Sequence, residues 1–263
     1  MSRKAGDAGY TLVELLIVIA ILGMVAAAIV GVYEVSVQAY VRSASLEDAQ
    51  LGARAGLERM ITELRLVGAF WAGATGAGTA ITAATGTSIT FMADVNGDTV
   101  SGDEMTVSSN PNSTTVVVGG TATQVVNAFN IYQTAALNDH LYIASGATRE
   151  VSRLSGVSGS TLTLATALTK SYPPGSLVRS VEQVTYTLNA ATGSLTRSVG
   201  GSGAFAIVDN VAGLTLTYFD ANGTLLGQPV TLALIREIQI SLTTQGNDGS
   251  RRTMTSRVRP RNL

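Results

Sequence analysis

Gly9-Tyr10-Thr11-Leu12-Val13-Glu14, followed by Leu15 to Tyr33 without one charged side chain, is the stretch from which the fold can be read. The uncharged run is 19 residues long and lies between Glu14 and Glu34. A helix rising about 1.5 Å per residue crosses roughly one bilayer core over that length. A carboxylate at the edge of such a segment is costly in hydrocarbon, so Glu14 reads as functional by default. Arg3 and Lys4 precede the run, as expected where the start of a segment stays cytoplasmic. Two plainer readings compete. A secretory signal peptide would be cut near Ala26-Ala27-Ala28, but would tolerate Glu14 poorly; a plain signal anchor would carry Glu14 by accident.

Glycine, aromatic, glutamate and apolar run stand in register, and there the chain resembles the class III signal of type IV pilins and type II secretion pseudopilins. The resemblance implies that prepilin peptidase cuts between Gly9 and Tyr10 and methylates the new amine on Tyr10. The family usually has phenylalanine there, so tyrosine is a mild departure. Glu14 falls on the fifth mature residue, where the family keeps its glutamate. The implied partners are prepilin peptidase, other pilins or pseudopilins in a filament, and inner-membrane lipid before assembly. The implied location is the bacterial inner membrane, single pass with a periplasmic C-terminal domain, and then a pilus or pseudopilus.

Helical spacing continues beyond the apolar run. Leu46, Ala53, Leu57, Met60, Ile61, Leu64 and Val67 recur on one side, with Glu47, Arg54, Glu58, Arg59, Glu63 and Arg65 expected on others. The first proline is Pro111, so one helix from Tyr10 to about Val67 is expected, hydrophobic all round at first and amphipathic afterwards. Gly23 and Gly31 are its soft points. Pilins resembling this chain unwind locally here on assembly, and many have proline at the place of Gly31.

Charged residues make up only 13%, while Gly numbers 28 and Ser and Thr are abundant, which suits a β-rich domain with many turns. There is no cysteine, which excludes disulfides, thiolate enzymes and Cys-ligated metals. The formal net charge is −1, and removal of residues 1–9 takes two basic residues and one acid, leaving −2. Five arginines close the chain at 251, 252, 257, 259 and 261. They read as the solvated face of a last strand; nucleic-acid binding would need a broader basic patch with exposed aromatics.

Short alternating stretches after Gly86 predict strands at Ser88–Ala93, Glu104–Ser108, His140–Ala144, Glu150–Leu154, Thr161–Ala165 and Leu177–Val181. Gln183–Leu188, Ser194–Ser198, Leu214–Tyr218, Ile235–Leu242 and Thr253–Arg259 follow as an antiparallel meander. Asp94, Asn96 and Asp98 occupy the first, third and fifth places of a loop that could hold calcium, although Thr99 replaces the glycine and Met105 the distal glutamate. The alternative is a hairpin turned by Asn96-Gly97. Trp71, in the 68–86 connection, is expected to pack on the helix C-terminus. His140 stands alone, without a serine or cysteine nucleophile in a recognisable motif, so no catalytic residue is assigned.

The expected class is α+β: a long N-terminal helix on an antiparallel sheet, as in the pilin fold, with an additional β-rich insertion. The expected parts are a leader at 1–9, a transmembrane and assembly half of the helix at 10–34, and an amphipathic half at 35–68. A globular domain follows at 69–263, carrying the insertion at about 129–181. The valine-tyrosine strand, the Gly193-Ser194-Leu195-Thr196-Arg197 return and the closing Val258-Arg259-Pro260-Arg261-Asn262 resemble PilW-type minor pilins and J-type pseudopilins. That makes the expected role a structural filament subunit and no enzyme. The competing role is a membrane-anchored periplasmic binding or sensing domain that never enters a filament.

Overall fold

A computed structural model describes residues 11–95, 97, 105–120, 140–200, 203–246 and 249–263, with the side chains at 45, 46, 48 and 49 outside the description. Helix α1 runs from Leu12 to Arg65, 54 residues and about 80 Å, unbroken across Gly23 and Gly31. Its stretch Leu12–Ala44 is the one helix among the described residues long and apolar enough to cross a membrane, and residues 12–43 of it are exposed. The second part is amphipathic, as its spacing predicts. Ala53, Gly56, Leu57, Met60 and Leu64 form a buried stripe at i, i+3, i+4 spacing, crossing β9 (Phe205–Val208), β11 (Glu237–Gln245) and β12 (Arg251–Val258).

The helix stops at Arg65, slightly short of the expected 68. Leu66 caps it, and Gly68 takes φ +80° so that its N–H can donate to the Met92 carbonyl. The chain terminus closes over this end: Arg261 N–H donates to the Arg65 carbonyl and the Asn262 amide to that of Val67.

Among the described residues nine strands form one sheet. In chain order its members are β1 (Ile81–Ala84), β2 (Ser88–Ala93), β3 (Thr115–Val117), β4 (His140–Ser145), β5 (Thr148–Ser158), β6 (Thr161–Leu164), β7 (Leu177–Asn189), β8 (Ser194–Val199) and β9. They pair in the order β1-β2-β7-β4-β5-β6-β3, with β8 on β7 and β9 on β8. A second sheet holds β10 (Val211–Phe219), β11 and β12 in that order. All the strand ladders are antiparallel, and the class is α+β.

Three sequence expectations need correction. Leu177–Val181 and Gln183–Leu188 are one 13-residue strand, because no breaker separates them and Val181, Glu182 and Val184 are all buried. The expected meander after 183 is divided between two sheets at the turn Asp209-Asn210, where Asn210 adopts φ +56°. Of Glu104–Ser108, only Met105 among the described residues pairs, as an isolated bridge.

Strand alternation in β4 serves two cores. Leu141 and Ile143 point into a small core with Met105, Val116, Leu154, Leu162, Tyr172 and Val178, while Tyr142 points toward the helix core with Val151 and Val181. Around the small core the sheet closes into a barrel. Met105 bridges Val118 beyond β3 and exchanges backbone bonds with Gly175 and Ser176, just before β7.

Candidate functional site

Glu14 lies in the first turn of α1, where the unpaired N–H groups and the helix dipole favour a carboxylate. Thr11 and Glu14 form a reciprocal cap. The Glu14 N–H donates to Thr11 Oγ1 at 3.3 Å, while Glu14 Oε2 accepts from the Thr11 N–H at 3.0 Å and its hydroxyl at 3.1 Å. Threonine followed three residues later by glutamate is legible in the sequence as this motif. Gly9 and Tyr10, the expected processing site, lie outside the described residues.

The surface that follows, from Leu15 to Tyr33, carries no charge on any side. Leu12 to Val41 exposes Leu, Ile, Val, Met and Tyr side chains throughout. The span Leu12–Ala44 covers 33 residues and so about 50 Å, against the roughly 30 Å of a bilayer core. The site can therefore anchor in lipid and bury side chains against other apolar helices. Its chemistry is association, with one carboxylate as the polar mark.

A second polar group, expected on a face other than the apolar stripe, holds this helix to its domain. Glu63 is buried. Its Oε2 accepts from the Tyr186 hydroxyl at 2.7 Å and from Arg197 Nε at 2.9 Å, and its Oε1 accepts from Arg59 Nε at 3.1 Å. One carboxylate thus joins α1 to β7 and β8. Burial raises the Tyr186 pKa, and the Glu63 carboxylate raises it further. For Arg197 burial works to lower the pKa, but the Glu63 hydrogen bond and charge outweigh it and the net shift is upward. The sequence did carry a signal: Gly56, Met60, Glu63 and Val67 fall on one i, i+3, i+4 line.

Asp94 follows β2 and is buried, with Oδ1 accepting from the Gly97 N–H three residues on at 2.8 Å, which closes the turn. Asn96 and Asp98, the other expected calcium ligands, lie outside the described residues. Close by, buried Glu182 accepts from the Val95 N–H and from the Ser180 hydroxyl. Among the described residues no three His, Asp or Glu side chains are grouped to hold a metal ion.

The aromatic residues after the helix pack against the aromatic side chains of β4. Trp71 donates from Nε1 to the Gly78 carbonyl and meets the His140 ring edge-on at 4.9 Å. Phe70, at φ +55°, meets Tyr142 edge-on at 5.4 Å beneath the Arg179 guanidinium. His140 is therefore part of a packed aromatic seam.

Residues 4–30 match the family model of the prokaryotic N-terminal methylation motif. The chain carries the class III signal of type IV pilins, and the pilin and pseudopilin family fits its apolar N-terminal helix. No curated protein and no solved structure matches the chain.

Proposed function

We propose that this protein is a minor pilin or pseudopilin, a structural subunit that enters a type IV pilus or type II secretion pseudopilus through α1. The observation that carries the reading is the register of the methylation motif on a helix whose uncharged run, Leu15 to Tyr33, is exposed. Prepilin peptidase would cut between Gly9 and Tyr10 and methylate Tyr10, with the C-terminal domain on the periplasmic side. Association through Leu15 to Val30 is non-directional, whereas Glu14 gives it a register. In a helix bundle of low dielectric its carboxylate is best matched by the N-terminal amine of a neighbouring subunit.

Mass spectrometry of the membrane-extracted protein tests the processing step. The expected chain starts at N-methyl-tyrosine from Tyr10. A chain that still starts at Met1 would leave an anchored periplasmic domain as the better account, and one cut near Ala28 would make the run a secretory signal peptide; either would overturn the reading.

A further inference from the structure

We propose that the free edge of β12 is a docking site for an extended acidic segment of another polypeptide. This goes beyond filament entry through α1 and does not depend on it.

Strand β12 pairs with β11 along its whole length, from Gln245 opposite Arg251 to Ile238 opposite Val258. Among the described residues no backbone group pairs with its other edge. Eight residues of unpaired strand form a template for one more strand. The edge is strongly basic in a chain whose formal net charge is −1: residues 236–261 hold six arginines against Glu237 and Asp248. Glu237 takes Arg257 at 3.1 Å and Arg259 at 3.4 Å. Among the described residues Arg251 bonds the neutral Gln245, and no acid lies within ion-pair distance of Arg251, Arg252 or Arg261.

Charge and spacing together select the occupant. A second copy of this strand would set arginine beside arginine, which is repulsive. An acidic strand meets arginine at both ends and gains most at Arg251, since Arg257 already shares Glu237. Arg251, Thr253, Thr255 and Arg257 share the outer face, opposite Gln245, Thr243, Ser241 and Gln239. Arg251 and Arg257 are six residues and so about 20 Å apart. A fitting segment carries acids six positions apart on one face, hydroxyl residues between them, and apolar residues on the other face beside half-buried Met254.

The test uses the full chain in detergent and a labelled, end-capped peptide, Glu-Val-Thr-Val-Thr-Val-Glu, followed by fluorescence anisotropy. Saturable binding that weakens with salt is expected, with the Lys-ended analogue weaker by about tenfold or more. The paired change Arg251→Glu and Arg252→Glu should weaken the acidic peptide by a similar factor without moving the melting temperature, since both side chains are exposed. Hydrogen exchange should slow at 251–257 on binding. No saturable binding would overturn the proposal and leave the arginines as protection of a bare edge. Equal affinity for both peptides, or for an N-methylated acidic peptide that cannot extend the ladder, would also overturn it. So would random-sequence duplex DNA that binds this edge while the acidic peptide fails to compete.

Discussion

Glu63 shows how a single residue can decide where a long helix sits. Its carboxylate is nearly buried, and so is the Arg197 guanidinium that it faces. Removing one member of such a pair leaves the other charge uncompensated, so Glu63→Gln should destabilise the folded domain by about 3–5 kcal/mol. Tyr186→Phe, which deletes one hydrogen bond to a charged group, should cost about 1.5–3 kcal/mol. Thermal melting of both variants in the same detergent checks the order. The raised Tyr186 pKa also fixes a pH dependence. A proton held more tightly in the folded state than in the unfolded one gives stability that is complete below the ordinary tyrosine pKa of about 10. That stability is lost as pH rises from there toward the higher folded value, and Tyr186→Phe should flatten this alkaline decline. At Asp94 the expectation concerns calcium. If Asp94, Asn96 and Asp98 bind it, millimolar calcium should raise the melting temperature, by about 2.7 kcal/mol of stability at a hundredfold excess over Kd. Asp94→Ala should abolish the calcium-dependent part of that rise, and a wild-type protein indifferent to calcium would leave only the turn closed by Asp94 and Gly97.

Two glycines one turn apart separate propensity from packing at the level of the helix. Gly52 has open space where a Cβ would stand, whereas a Cβ on Gly56 would overlap the Cγ2 methyl of Val208 on β9. Gly52→Ala should therefore stabilise the helix by up to about 1 kcal/mol. Gly56→Ala should destabilise the domain by about 1–3 kcal/mol, because stiff, β-branched Val208 has to give way. Melting curves of opposite sign are the expected result; two stabilising changes would mean that α1 does not lie against β9 as described. The helix itself was legible, since its apolar run, its lack of proline and its stripe from Ala53 to Val67 all follow a single period. The burial of Glu63 is not legible, because periodicity sets it beside the apolar stripe and cannot show that a partner waits on another strand. The strand β7 was read as two because local alternation does not say that one strand can border two cores. The barrel closure through Met105 depends on backbone pairs about 70 residues apart in sequence, which no local pattern encodes.

At the scale of the whole molecule, a short N-terminal signal and a large β-rich body carry different kinds of information. The signal was readable because its glycine, aromatic and glutamate must stand in register with an apolar run. The body was readable only as strands and turns, since a β-rich architecture can host many functions. The central claim is that Glu14 sets the register of a filament subunit, and the variant Glu14→Gln isolates it by removing the charge while keeping the size. Cleavage before Tyr10 and residence in the inner membrane should persist, because both rest on the signal and the apolar run. The decisive measurement is the ratio of the protein in sheared filaments to the protein in membranes, wild type against Glu14→Gln. A fall of roughly a hundredfold is predicted, since the neighbour's buried amine would lose its counter-charge. An unchanged ratio, or a wild-type protein absent from filaments altogether, would contradict the account.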